Sequence, residues 1–159
     1  MDARRNLTTD IHALRHPARG AQLVKQQLGH DWSLLLDRSF ARKAISGDIM
    51  FHQSSRTVYV SIFNTNNAAA EEAIERMIEG RPGIPVQMFD RDEAGIRGHA
   101  YLLPEGDKKN PYWGLNTWTA SRGKLACVTI YFKDISDLDW AIGVWKSVRP
   151  FRELRLALN

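Results

Sequence analysis

Two spacings of apolar residues succeed one another along this chain, and each change of spacing marks an expected element. Ala21, Val24 and Leu28 recur at three and four residues between Pro17 and Gly29, which predicts a first helix. Trp32-Ser33-Leu34-Leu35-Leu36 is a short apolar run. In residues 57–63, Val58, Val60 and Ile62 alternate with Tyr59, Ser61 and Phe63, the two-residue period of a half-buried strand. Residues 47–52 are its expected hairpin partner across Gln53-Ser54-Ser55-Arg56. The helical period returns with Ala70, Ile74, Met77 and Ile78. Asn66 or Asn67 is placed to cap that helix, Glu71 and Glu72 suit its positive end, and Gly80 and Pro82 stop it.

Four further strands are expected at 86–91, 98–103, 112–119 and 124–133. The spacers at 92–95, 104–111 and 120–123 are rich in turn formers, which fits antiparallel connections better than crossovers. A last helix starts at Ser136, with Asp139 three residues on completing a box-like cap, and runs through Ala141, Val144, Trp145 and Val148 until Pro150. Helix, three strands, helix, four strands, helix is the order of an α+β domain. It predicts a central, mostly antiparallel sheet of six or seven strands flanked by helices. Residues 1–16 lack apolar periodicity and are expected to form a mobile N-terminal arm, leaving 17–159 as a single α+β domain.

The strand pair at 48–52 and 57–63, the helix at 68–79 and the closing run Asp139-Trp140-Ala141-Ile142-Gly143-Val144-Trp145-Lys146-Ser147-Val148 occur in an order that resembles the PsbP-like superfamily of small α/β/α sandwiches. The resemblance spans residues 32–149. Members of that superfamily serve as photosystem extrinsic subunits, a Ran-binding nuclear-transport factor and bacterial lipoproteins, so it implies a non-catalytic binding scaffold. It brings no functional residue with it.

Composition narrows the class without naming a function. With 43% hydrophobic and 25% charged residues, the 159-residue chain is neither disordered nor fibrous throughout. No stretch approaches the roughly 18 apolar residues of a membrane span. Residues 1–19 are basic but carry no apolar run or lipoprotein cysteine of the exported members' kind, so the expected compartment is the cytoplasm, for a compact chain of bacterial style. One cysteine excludes an intrachain disulfide.

The net charge of +4 is unevenly spread. Arg4, Arg5, Arg15, Arg19 and Lys25 load the first end, Lys146, Arg149, Arg152 and Arg155 the last, around a slightly acidic body. Should those ends meet, their field would steer an acidic protein partner. Nucleic acid is not an expected partner, because no dense basic stripe interleaved with aromatics is present.

The usual catalytic signatures are missing: no Walker loop, no G-x-S-x-G, no H-E-x-x-H, no G-x-G-x-x-G. No cofactor or metal is expected. Cys127, between Ala126 and Val128, has the setting of a buried thiol. His12 and His16 have helical metal-ligand spacing but fall in the arm, where a solvated pair is expected. His52 and His99, if they converge with Asp48, Asp90, Asp92 or Glu93, would make an acid/base cluster. Tyr59, Ser61, Phe63, His99, Tyr101, Asn116, Trp118, Cys127, Thr129 and Tyr131 share alternation phase within their strands. Aligned phases would give one aromatic and polar sheet face, open as a pocket or interface, or covered by a helix. Asn110-Pro111-Tyr112-Trp113-Gly114 would present an exposed aromatic anchor, and residues 150–158, alternately basic and apolar, are expected to pack on the body.

The expected function is a non-enzymatic binding or adaptor module that recognises a protein partner through Tyr112 and Trp113 or through the mixed face. The alternative is a small enzyme or ligand-binding domain with a pocket lined by His52, His99, Tyr101 and Asn116.

Overall fold

Period-2 segments need partners for both their backbone groups and their apolar faces, and here they find them in two antiparallel sheets and in the helices packed on them. The structure, a computed structural model, describes residues 22–93 and 95–151. In it β1 (Leu23–Leu28), β2 (Trp32–Asp37), β3 (Ala41–Ile45), β4 (Asp48–His52) and β5 (Arg56–Asn64) precede the helix α1 (Asn67–Gly80). Then come β6 (Gln87–Glu93), β7 (Ile96–Gly106), β8 (Pro111–Ser121), β9 (Lys124–Phe132), the helix α2 (Leu138–Ser147) and the short β10 (Arg149–Pro150). Seven strands form the main sheet in the order β3-β4-β5-β9-β8-β7-β6; β1, β2 and β10 form a small second sheet centred on β2. Every pairing is antiparallel. The fold is therefore α+β and mostly antiparallel, as the hydrophobic pattern predicts.

One face of the main sheet meets α2 and β2. Val58, Val60, Leu115, Val128, Ile130 and Phe132 lie buried there against Leu34, Leu36, Val144 and Trp145. Trp145 has no exposed surface, and its indole N–H donates to Thr119 Oγ1 at 3.0 Å. Gly98 lies against the ring: a Cβ there would come within 3.1 Å of Trp145 Cζ2 and 3.0 Å of the Trp118 carbonyl. The opposite face carries α1, whose Ala70 and Ile74 pack on Ala120 and Leu125 with Trp118 and Cys127 beside them. Asn66 Oδ1 caps α1 by accepting from the Ala69 N–H at 2.8 Å. Glu71 and Glu75, one helical turn apart, both pair with Arg97 of β7 and fasten the helix to the sheet.

Several expectations change. Residues 23–28 are a strand, not part of a helix: Val24, Gln26 and Leu28 also alternate, and pairing with β2 settles the ambiguity. Pro17 to Ala21, the arm at 1–16 with His12 and His16, and residues 152–159 lie outside the described residues. β3 is an additional edge strand, exposed at every position and so without an apolar signature. The last helix is entered through a 3-10 turn at Ile135–Asp137, capped by the Asp134 carboxylate on the Ser136 N–H at 2.9 Å and not by Ser136 itself. It ends at Ser147, because Arg149 pairs with Ser33 and draws Val148 into an extended conformation.

Candidate functional site

Register decides which side chains share a face, since directly opposed residues in an antiparallel pair point the same way. Met50, Tyr59, Thr129, Asn116, Tyr101 and Met88 form one row across β4, β5, β9, β8, β7 and β6. The next row toward the β7–β8 hairpin holds His52, Thr57, Tyr131, Gly114 and Leu103, and beyond it Tyr112 opposes Glu105. On the other side of the tyrosine row lie Asp48, Ser61, Cys127, Trp118, His99 and Asp90. The phases of the mixed face therefore align.

α1 covers only part of that face. Trp118 and Cys127 lie beneath it, and a shallow groove lined by Ala69, Ala73, Met77 and Trp118 runs alongside. The hairpin end stays open. All four tyrosines of the chain stand on this one face. Tyr131 sits between Tyr59 and Tyr112 with edge-to-face contacts on both sides, centroids 6.0 and 5.6 Å apart and rings at 80° and 81°. Tyr59 and Tyr112 are exposed at 38% and 36%. Gly114 makes room for this arrangement: a Cβ there would meet Glu105 Cγ at 3.1 Å and Tyr131 Cε1 at 3.3 Å. Burial raises the Tyr131 hydroxyl above its ordinary pKa, and the Glu105 charge and neighbouring tyrosines raise it further. Tyr101 is raised in the same way by burial and Glu105, against the opposing charge of Arg81.

The remaining candidates separate. His52 is exposed on β4 and His99 is buried on β7, four strand spacings away, roughly 19 Å at about 4.8 Å each. No His52–His99 acid/base cluster is formed. Of the carboxylates considered with them, Asp90 meets His99, with Oδ1 2.7 Å from Nδ1, while His99 Nε2 is buried without a partner. Trp113 alternates onto the other face and packs against the main core, so it is not the exposed anchor expected of a loop. Residues 111–113 are the start of β8, and Tyr112 alone of the pair faces outward on the open side.

Cys127 is held neutral by burial and, secondarily, by the Asp48 charge, which push its thiol up to about 12. On the order of one in 10⁵ molecules then carries a thiolate at pH 7. Alkylation of the native protein by iodoacetamide at neutral pH is expected to take many hours; complete reaction within minutes would contradict this setting. Among the described residues no three His, Cys, Asp or Glu side chains come together to hold a metal ion.

Glu105 and Gly114 were not among the sequence candidates. The signal was present, because His99, Tyr101, Leu103 and Glu105 continue one alternation, but the turn formers between 104 and 111 hid the strand's last residues.

An α+β sandwich with one helix-covered and partly open tyrosine face defines the class of the molecule, and the fold is PsbP-like. Cyanobacterial PsbP from Synechocystis shares it with a TM-score of 0.55 at 16% identity, over 82% of this chain and 94% of that one. A Bacteroides thetaiotaomicron protein shares it with a TM-score of 0.63 at 10% identity, over 77% of this chain. The match spans 46% of that longer protein, about half its length. No family description and no curated protein matches the sequence. Among the described residues no helix is long and apolar enough to cross a membrane.

Proposed function

We propose that the protein is a non-enzymatic binding module that recognises a protein partner through its tyrosine face. The observation that carries this is the gathering of all four tyrosines onto one sheet face, with Tyr59 and Tyr112 exposed on either side of the half-buried Tyr131 and only Tyr101 buried. Tyrosine supplies large contact area at low conformational cost and is enriched at binding hot spots. The rival pocket of His52, His99, Tyr101 and Asn116 has weaker support, because His52 stands at the far side of the sheet and His99 is buried against Asp90. Steering by the basic ends also has less support, since Arg149 is already held by Glu93 at 2.9 Å.

Affinity purification of the tagged protein from nuclease-treated lysate at moderate salt tests the proposal. A stoichiometric protein partner is expected to be lost from a Tyr59→Ala, Tyr112→Ala double variant, with affinity reduced about 30-fold or more. It should be retained by Leu35→Ala, an exposed change on the small sheet. Equal retention by both variants would overturn the assignment of the face.

A further inference from the structure

The open face contains a charge with nothing to meet it. Glu105 is half-buried among aromatic rings, and among the described residues no Lys, Arg or His forms an ion pair with it. Glu71 and Glu75 pair with Arg97, Asp90 with His99, and Glu93 with Arg91 and Arg149, while Asp48 and Asp92, also unpaired, are exposed where Glu105 is half-buried. The nearby Arg81 guanidinium instead donates to the Ile78 carbonyl at 2.9 Å. An incoming cation would supply the counter-charge that no described side chain provides.

The surroundings of Glu105 specify the kind of cation. Its side chain lies over Gly114, the one position in that row where β8 carries no side chain, and Tyr131 converges on the same point. Tyr112 stands directly opposite Glu105 on the neighbouring strand and edge-on to Tyr131. A carboxylate beside tyrosine rings suits a flat, delocalised cation that stacks on a ring while donating two hydrogen bonds to the carboxylate. We infer that the surface patch of Glu105, Tyr112 and Tyr131 around Gly114 receives an arginine side chain of the protein partner. This rests on the tyrosine face being the binding surface and adds the chemistry of what that surface takes. The exposed Lys108 and Lys109 in the hairpin beyond Gly106 disfavour a long basic stretch, so the fit is to an isolated arginine within a largely neutral segment.

The test is a titration of the isotope-labelled full chain, followed by NMR, with a short Gly/Ser peptide carrying spaced arginines. Identical peptides with citrulline or with glutamate in place of arginine are run beside it. The arginine peptide is expected to move the Gly114 amide and the Tyr112 and Tyr131 ring signals, while the citrulline and glutamate peptides leave them in place. Glu105→Gln, nearly isosteric and checked for an unchanged spectrum elsewhere, should weaken that binding about tenfold or more; Tyr131→Phe, which keeps the ring, should bind nearly as wild type. Equal shifts with the citrulline peptide would overturn the arginine assignment and leave the binding face standing. Absence of shifts at the patch with the arginine peptide, or unchanged affinity in Glu105→Gln, would also overturn it; the double-tyrosine purification judges the face separately.

Discussion

Replacing Trp145 with alanine is expected to destabilise the protein by about 3–5 kcal/mol, lowering the melting temperature by roughly 10 °C or more. The ring is fully buried between α2 and the sheet, against Gly98 on one side and the core around Val128 and Leu115 on the other. Collapse around the lost side chain is limited because the neighbouring strands are fixed by their ladders on both sides. The substitution also leaves the Thr119 hydroxyl, itself buried, without the indole donor it now has at 3.0 Å. Trp145→Phe separates the two contributions: it keeps most of the volume and removes the donor, and is expected to cost about 1–2 kcal/mol. Urea denaturation measures both through the shift in midpoint at constant slope. A loss below about 1 kcal/mol in the alanine variant would mean that the site closes up, contrary to the packing described.

Arg91→Met is expected to cost about 2–3 kcal/mol, although methionine fills similar space. Arg91 is 4% exposed, and its guanidinium terminates α2 by donating to the Trp145 and Val148 carbonyls at 3.1 and 2.8 Å while pairing with Glu93 at 2.9 Å. A cation at a helix C-terminus is favoured by the helix dipole, and without it the Val148 carbonyl loses this donor and the Trp145 carbonyl keeps only the Val148 N–H at 3.0 Å. Burial alone would raise the Glu93 carboxyl, but the hydrogen bonds and charges of Arg91 and Arg149 outweigh it and leave its pKa below the ordinary value. A carboxyl lowered in the folded state adds stability above its unfolded pKa of about 4.3, and that contribution disappears as pH falls through the folded pKa. Wild-type stability is therefore expected to drop on acidification from about pH 4.5 toward pH 3, and this part of the drop should shrink in Arg91→Met. Denaturant midpoints measured across that range test it; parallel pH profiles for the two proteins would contradict the coupling.

Much of this architecture is legible in the amino-acid pattern, and the exceptions have physical causes. β4, β5, α1 and β6 to β9 follow their alternation because each has one face in the core and the other elsewhere. β1 does not, because six residues fit both periods and only the presence of β2 selects the strand. β3 leaves no pattern because nothing buries either of its faces. The mixed face is readable strand by strand, yet its composition depends on register across four strands, which no local pattern specifies. Trp113 shows the limit most directly: next to Pro111 and Gly114 it has the neighbours of a turn, but a strand extending back to Pro111 turns its ring into the core. The five tryptophans are likewise structural, with Trp32 and Trp145 buried, Trp113 on the core, Trp118 under α1, and Trp140 stacked on Phe40 at 5.9 Å.

The pairing of β2 with both β1 and β10 bears on the order in which the molecule assembles. β6, β7, β8 and β9 are successive hairpin neighbours, so the side of the main sheet carrying Tyr101, Tyr112, Gly114 and Tyr131 closes only short loops. The small sheet is different: the Leu35 N–H meets the Ser147 hydroxyl 112 residues further along, and Arg149 pairs with Ser33. Loop closure over that separation carries the larger entropic cost and comes late in folding. On the ribosome, the four-stranded meander with Tyr101, Tyr112 and Tyr131 is complete in sequence before α2 and β10 emerge, so the surface proposed for recognition precedes the latch that ties the two ends of the fold together.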